Sequence, residues 1–198
     1  MSTQSVNVTP REPDGRRRRS VDSRARIVAA MLELVHAGEV APGAEQVAVL
    51  AQVGLRTVFR HFKDMDSLYG EMAAVMVAEL EEVARRPFRG STWRDRVVEL
   101  VERRAGAFEK IAPFKRAADV HRHHSRLLQA NHDRLVTTAR EILKRELPPE
   151  VARDPVKLEL LDLLLSYEAW SRLRREQGLT PRGARNVLEA AVLRTLEG

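Results

Sequence analysis

The sequence predicts an all-α protein of about nine helices, and three observations lead to that prediction. Leu, Ala, Val, Glu and Arg dominate the 198 residues while aromatic residues make up only 5%, a balance that favours helices over strands. Apolar residues recur three and four positions apart along most of the chain, which is the period of an amphipathic helix. No stretch of useful length alternates apolar and polar residues, so we predict no strand.

Composition excludes several classes of protein. Hydrophobic residues make up 43% and charged residues 31%, which is typical of a soluble globular chain. No apolar run approaches the ~18 residues of a membrane span. The chain has no Cys, so disulfides and thiolate chemistry are excluded. No apolar stretch follows the N-terminal arginines, so we expect no signal peptide and a cytoplasmic protein, and the preference for Arg and Ala suggests a GC-rich bacterial source.

Positive charge is concentrated in the first third of the chain. The formal net charge is +6, and residues 1–63 hold ten Lys and Arg against six Asp and Glu. A polyanionic partner for this part is one interpretation, and a merely soluble surface is the other.

Residues 1–21 are predicted to form a disordered basic arm, because they are polar and contain Pro10, Pro13 and Gly15. The run Arg16, Arg17, Arg18 and Arg19 either lies along phosphates or in a minor groove, or is a solvated tail. Asp22 or Ser23 then caps a first helix that runs to about Ala37 and ends at Gly38.

Residues 43–62 are the most informative segment. They predict a short helix over Ala44 to Ala51, a turn at Gln52, Val53 and Gly54, and a second helix over Leu55 to Phe62. Val47, Ala48, Ala51, Val58 and Phe62 fall on faces that pack inward, with Val53 as an apolar plug in the turn. Arg56 and Arg60 lie one turn apart on the outside, where they can reach phosphates or guanine edges of B-DNA.

The remaining two-thirds predict a helical bundle. Asp64 or Asp66 caps a helix to about Arg85, Thr92 starts one to about Ile111, and Pro113 begins a shorter one towards His124. Further helices follow from about Ser125 to Leu147, from Asp154-Pro155 to about Gln177, and from Thr180-Pro181 onward.

The helix after Pro155 is unusually apolar, since six of the eight residues from Leu158 to Leu165 are Leu. It is either the centre of the bundle, or core on one face and subunit interface on the other. We favour the second interpretation, in which the last helix completes a four-helix contact with a symmetry mate. The candidate interface residues are Leu161, Leu164, Leu165, Val187, Leu188 and Ala191.

Residues 47–72, VAVLAQVGLRTVFRHFKDMDSLYGEM, resemble the DNA-binding segment of the tetracycline-repressor (TetR/AcrR) family of bacterial regulators. The resemblance covers about residues 22–72. It implies a helix-turn-helix domain over 22–65, a regulatory and dimerisation domain over 66–198 with a small-molecule pocket, and a homodimer that binds a palindromic operator.

The chain departs from the family pattern at several positions. Gln52 stands where the family usually has Gly in the turn, and Gly54 where it has a Ser or Thr cap. Phe59 replaces a phosphate-contacting Tyr, and Met65 a common Lys, for which Lys63 is the nearest substitute. We therefore expect weaker phosphate anchoring, with the arginine arm compensating. The candidate DNA-binding residues are Gly54, Leu55, Arg56, Thr57, Phe59, Arg60, His61 and Lys63.

The effector pocket is less sharply defined by the sequence. Its candidate lining residues are Met72, Met76, Phe108, Phe114, His121, Tyr167 and Trp170, a set that suggests an apolar or aromatic ligand, although for each of them a place in the ordinary core is the favoured interpretation.

Catalytic signatures are missing, so we expect a ligand-responsive transcription factor, most simply a repressor, without cofactor, and not an enzyme. Glu33 and His36 form a lone E-x-x-H, and His121, His123, His124 and His132 lack an obvious third metal ligand, so no metal is predicted. The alternatives left open are an all-helical adaptor and a metal-dependent helical enzyme.

Overall fold

A computed structural model describes residues 15–197, and every regular element in that range is helical, as predicted. The helices are α1 (Gly15–His36), α2 (Ala44–Leu50), α3 (Leu55–His61), α4 (Met65–Arg85), α5 (Trp93–Arg122), α6 (Arg126–Glu146), α7 (Pro149–Ala152), α8 (Pro155–Leu164), α9 (Tyr167–Ser171) and α10 (Pro181–Glu197). A π-helical turn, Arg172–Glu176, follows α9 directly.

Helix α1 begins earlier than predicted. The expected arm lies outside the described residues over 1–14, but residues 15–21 are helical and carry Arg16–Arg19 in the first turns of α1. Ser23 does not cap the helix; its hydroxyl donates to the Arg19 carbonyl 2.8 Å away, inside the helix. Arginine has a high helix propensity, so a helix that is already packed further along extends through this run at little cost.

Glycine ends α1 as predicted. Gly38 has φ +103°, a backbone conformation that is unfavourable for any residue with a side chain. Its N–H donates to Val35 and that of Glu39 to Leu34, which closes a Schellman motif.

The helix pair α2 and α3 follows the prediction closely. Val47, Ala48, Ala51, Val58 and Phe62 are all buried. Gln52 in the turn has φ +52°, so a non-glycine residue occupies the left-handed conformation there, at a cost on the order of 1 kcal/mol.

Helix α5 corrects the prediction of a break at Pro113. The helix runs unbroken from Trp93 to Arg122 with Pro113 inside it. Its N-terminal half is anchored in one core by Val97, Leu100 and Val101, and its C-terminal half in the other by Ala117. Packing at both ends outweighs the lost hydrogen bond and the ring clash, which together cost about 3 kcal/mol.

The predicted long helix from Pro155 to Gln177 is interrupted after α8. Ser166 accepts a hydrogen bond from the Ala169 N–H, which starts α9. The freed carbonyl of Leu165 accepts a hydrogen bond from the buried Arg104 guanidinium at 2.8 Å. Gly178, with φ +68°, ends the segment as predicted, whereas the short α7 was not predicted.

The buried residues form two cores. One joins the N-terminal half of α5 with α6, α7, α8, α9 and α10. The other joins α1, α2 and α3 with the start of α4 and of α6 and the C-terminal end of α5, through residues such as Tyr69, Ala117 and Leu128. The N-terminal helices are thus packed onto the bundle.

Gly70 of α4 faces the side chain of Leu127 near the start of α6. A Cβ on Gly70 would overlap a methyl group of Leu127, so that side chain would have to move.

None of the helices within residues 15–197 has both the length and the apolar character required to cross a membrane.

Candidate nucleic-acid interface and ligand cavity

The outer surface of α3 carries two parallel rows of side chains. Arg56 and Arg60 form the row opposite the buried Val58, and both are exposed. Leu55 and Phe59 form a second row beside them, 39% and 47% exposed. An α-helix fits the major groove, where a basic row can reach phosphates and guanine edges and an apolar row can contact thymine methyl groups.

Arg24 of α1 fastens the C-terminal end of α3. Its guanidinium lies 4.3 Å from the centre of the Phe62 ring, donates to the His61 carbonyl at 2.9 Å, and pairs with Glu71 of α4 at 2.7 Å. One side chain therefore joins α1, α3 and α4. The sequence analysis missed this role, because Arg24 lies 37 residues from His61 and no short-range pattern marks the contact.

His61 lies partly behind the exposed rows of α3. The residue is half-buried and its Nε2 is inaccessible and has no hydrogen-bond partner within the described residues. Burial, then the nearby charges of Arg60 and Arg24, lower its pKa. The imidazole thus supports α3 from behind, and a contact of His61 with DNA stays a prediction.

The other predicted DNA-binding residues lie at the exposed surface or at its edge. Gly54 is the N-cap of α3 without a side-chain bond, Thr57 is half-buried, and Lys63 is exposed beyond the helix end. Asp64 caps α4 by accepting from the Ser67 N–H at 2.9 Å. That hydrogen bond, with help from the Ser67 hydroxyl and Lys63, lowers the pKa of Asp64.

Arg18 and Arg19 are exposed on the first turns of α1. Their contact with DNA stays a prediction.

A cavity of about 220 Å³ lies between α4, α5, α6 and the junction of α8 with α9. Its walls are mostly apolar, with Phe108, Ile111, Leu135, Ile142 and Tyr167 among the larger side chains. The Phe108 and Tyr167 rings meet edge to face, 5.7 Å apart. A smaller cavity of about 50 Å³ adjoins it towards α1–α3 and shares the walls at Val77, Leu80, Ile111, Lys115, His132 and Leu135.

The seven predicted pocket residues divide into three groups. Phe108 and Tyr167 line the larger cavity, and Met72, Met76 and Phe114 line the smaller one. His121 lines neither, because it stacks on Tyr69 with ring centres 4.2 Å apart. Trp170 is also corrected: it is a core residue, 1% exposed, whose indole N–H donates to Glu109.

Charged side chains at the larger cavity have partners within the protein. The buried Arg104 donates to the carbonyls of Leu165 and Ala139, at 2.8 and 2.6 Å, and burial lowers its pKa to about 10. Arg103 pairs with Glu99 at 2.6 Å, and Arg134 with Glu81 at 2.6 Å.

Two further charges follow the same pattern. Asp162 pairs with Arg140 at 2.8 Å, and both carboxylate oxygens of Asp119 accept from Lys115 at 2.8 Å. Each of these pairs satisfies its own charge, so the cavity wall presents little free charge to its contents.

Helix α5 links the cavity to the N-terminal helices. Phe108 and Ile111, just past its midpoint, line the cavity, and one turn further Phe114 stacks on His36 of α1, with ring centres 6.2 Å apart. A change in the position of α5 would therefore reach the helices that hold α3.

Three of the six predicted interface residues are corrected to core residues. Leu161, Leu165 and Leu188 are 0%, 1% and 5% exposed within a single protomer, so they cannot contact a partner. Leu161 and Leu165 take their register from the packing of α8 against α10 and α6, which a uniformly leucine-rich stretch does not reveal. Leu164 and Ala191 are half-buried and Val187 is 47% exposed, so these stay candidates.

Leucines outside the predicted set form the exposed surface of α8. Leu163 is 62% and Leu160 44% exposed, and on α10, which packs beside α8, Val187 is 47% exposed. Acidic residues lie between these leucines in the sequence, so the pattern does not show which leucines are exposed.

The described part of the chain contains no group of three or more His, Asp or Glu residues arranged to hold a metal ion. His36 stacks on Phe114, and His123 and His124 are exposed.

Comparison with known proteins identifies solved structures of the same architecture. A transcriptional regulator from Rhodococcus sp. Rha1 is 18% identical, with a TM-score of 0.67 over 89% of this chain and 97% of the other. A TetR transcriptional regulator from Rhodococcus sp. RHA1 is 18% identical, with a TM-score of 0.55 over 91% of this chain and 98% of the other. The multidrug binding protein EbrR, solved with imidazole, is 19% identical, with a TM-score of 0.56 over 93% and 97%.

These similarities show the fold. The chain shares it over nearly the whole length of these three proteins. No protein-family model matches the sequence, and no curated protein matches it.

Proposed function

We propose that the chain is a TetR-type transcriptional regulator that binds a palindromic operator as a homodimer and is released by a small-molecule effector, which makes it a repressor in the simplest case. It would act in the cytoplasm and would not be an enzyme. The observation that carries this proposal is the exposed Arg56–Arg60 row on a short helix whose opposite face is buried in the helix-turn-helix core.

The surroundings of α3 support a DNA-binding role. A helix that reads bases must be held rigidly, and α3 is held by Val58, by the Phe62 ring and by Arg24, which joins it to α1 and α4. Leu55 and Phe59 give the same surface an apolar row, which suits thymine methyl groups and sugars better than phosphates.

The cavity and α5 support regulation by a ligand. A ligand shifts the population of conformations only if it binds one of them better. The cavity borders α4 and α5, and both helices continue into the core of the N-terminal unit. In a dimer that reads an operator, the two α3 helices must lie about 34 Å apart, which is one turn of B-DNA. A ligand that favours a different spacing of α4 and α5 would change that distance.

A matched pair of arginine substitutions tests the proposed interface. Arg56→Ala removes a charge from α3, whereas Arg153→Ala removes the same charge from an exposed position beyond α7, at the opposite end of the bundle. For a selected operator we expect Arg56→Ala to weaken binding by about 1–3 kcal/mol, roughly 5- to 150-fold, and Arg153→Ala to leave it unchanged.

The dependence of affinity on salt separates two kinds of contact. The logarithm of the binding constant falls linearly with the logarithm of the salt concentration, and loss of one phosphate contact lowers that slope by about one. Loss of a guanine contact instead relaxes the sequence preference at one base pair. Equal effects of the two substitutions, with the variants folded and dimeric, would rule out α3 as the reading surface.

A further inference from the structure

We infer that the 220 Å³ cavity takes an uncharged, mainly apolar ligand of about two fused rings, whose one polar group hydrogen-bonds to the imidazole of His132. The inference deepens the proposed function, because it assigns a chemical class to the effector. It stands on the size of the cavity, on the pairing of its charges and on the position of His132.

The volume limits the size of the ligand. An engineered apolar cavity of about 150 Å³ holds benzene. A cavity of about 220 Å³ with the adjoining space of about 50 Å³ therefore accommodates a larger, two-ring molecule. Phe108 and Tyr167, in edge-to-face contact, provide an aromatic wall.

The pairing of charges selects against a charged ligand. A ligand carboxylate would find Lys115 held by both oxygens of Asp119. It would find Arg104 with donors occupied by two backbone carbonyls and with Asp162 as the nearby negative charge. A ligand ammonium would find Asp162 held by Arg140. Either ion would lose its hydration without gaining a free counter-charge, which is costly in an apolar cavity.

Glu81 and Glu168 do not alter this conclusion. Glu81 is bound by Arg134 at 2.6 Å, and Glu168 is 61% exposed, so water solvates it at the edge of the cavity. A cation attracted there would remain at the surface.

His132 is the polar group that a ligand can use. It lines both cavities from α6, and none of the side chains that the structure describes forms a hydrogen bond with its imidazole. Burial, then the positive charges of Lys115 and Arg122, lower the pKa of His132, against the weaker opposite effects of Glu168 and Asp119. A neutral imidazole offers one donor and one acceptor, which match a hydroxyl or a carbonyl group.

Four compounds with one skeleton test the inference directly. Naphthalene, 2-naphthalenemethanol, 2-naphthoic acid and 2-naphthylmethylamine are compared for binding to the full-length protein by calorimetry at pH 8, without DNA. We expect the alcohol to bind more than about tenfold tighter than the acid and the amine, because both ions lose hydration. It should also bind about two- to twelvefold tighter than naphthalene, since one hydrogen bond contributes about 0.5–1.5 kcal/mol.

Variants assign the hydrogen bond to a residue. His132→Leu should remove the advantage of the alcohol over naphthalene, and His132→Gln should retain part of it. His124→Leu is the matched control at an exposed histidine, and Thr138→Val removes a hydroxyl from the cavity wall; both should leave the advantage intact.

Three results would overturn the inference: tighter binding of the acid or the amine, no binding of any of the four compounds, or loss of the advantage with Thr138→Val and not with His132→Leu. Because these measurements contain no DNA, they are independent of the test of Arg56. A protein that binds the alcohol but no operator would refute the proposed function and leave the ligand class standing.

Discussion

At the scale of single residues, long-range contacts of charged side chains hold the molecule together at two points. Arg24 joins α1, α3 and α4 around the exposed row of α3. Glu99 holds the chain before α5: it accepts from the N–H groups of Arg89 and Gly90, at 2.8 and 3.2 Å, and pairs with Arg103 at 2.6 Å. Arg103 in turn donates to the Arg86 carbonyl and lies 4.1 Å from the centre of the Phe88 ring.

Glu99 makes stability depend on pH in a defined direction. Burial alone would raise its pKa, but the hydrogen bonds from Arg103, Arg89 and Gly90 outweigh burial and lower the pKa to about 2. Because the pKa in the folded state lies below that of the unfolded chain, the contribution of Glu99 is full above the ordinary pKa of 4.5 and is lost as pH falls towards about 2.

Glu99→Gln isolates this contribution. We expect the wild-type protein to be more stable than the variant at pH 6 and the difference to shrink steadily between pH 5 and pH 3, measured as the free energy of unfolding in urea. Glu150→Gln, at an exposed position on α7, is the control and should give no pH-dependent difference. A difference between wild type and Glu99→Gln that stays constant over this range would contradict the assignment.

At the scale of elements, the two departures from the predicted helices have opposite causes. Helix α5 continues through Pro113 because two separate cores anchor its halves, Leu100 in one and Ala117 in the other. The helix after Pro155 breaks because Ser166 caps a new helix and because Arg104 donates a hydrogen bond to the Leu165 carbonyl, which would otherwise lack a partner. In both cases tertiary contacts decide the outcome, and local propensity does not.

Replacing Pro113 tests the first of these explanations. In a helix interior Pro is about 3 kcal/mol less favourable than Ala, while Pro stabilises by about 0.4–1 kcal/mol through the unfolded chain. Pro113→Ala should therefore raise the free energy of unfolding by about 2 kcal/mol, measured by chemical denaturation.

Pro149→Ala provides the comparison. Pro149 stands at the first position of α7, where Pro is tolerated, so its replacement should not stabilise the protein. A destabilised Pro113→Ala variant would contradict the explanation that packing at both ends of α5 outweighs the cost of Pro113.

Sequence patterns succeeded where the determining contacts are local. Gly38, Asp64, Thr92, Ser125 and Gly178 start or end helices as predicted, because capping depends on neighbouring residues. The inward and outward faces of α2 and α3 also follow from helical spacing.

The remaining features depend on residues far apart in the sequence. The contact of Arg24 with His61, the hydrogen bonds of Arg104 and Arg140 around the cavity, and the burial of Leu161 rather than Leu163 all involve different helices. A single sequence carries no direct signal for such contacts, so the interface of α8 and most of the cavity lining were not predictable.

At the scale of the whole molecule, the exposed leucines of α8 indicate how two copies would associate. Leu160 and Leu163 are large apolar side chains at the surface, and α8 packs beside α10, whose Val187 is also exposed. Exposed large apolar side chains on two neighbouring helices suit an isologous contact, in which the same surface of each copy faces the other.

Leu163→Asp should therefore convert a dimer into a monomer and weaken operator binding with it, measured by sedimentation and by gel shift on the same samples. Val120→Asp places the same charge at an exposed apolar residue of α5 outside this surface and should leave the dimer intact. Leu161→Ala, in contrast, should destabilise the fold by about 2–5 kcal/mol, because Leu161 is core. A dimer that survives Leu163→Asp would place the interface elsewhere.

The most direct measurement is selection of duplexes from random DNA by the wild-type protein, followed by footprinting of the winning sequence at two salt concentrations. We predict an inverted repeat whose half-sites are protected in successive major grooves, about 10 base pairs apart, with affinity that falls steeply as salt rises. Failure to enrich any duplex at low salt, or enrichment of a site without two-fold symmetry, would contradict the proposal that paired α3 helices read an operator.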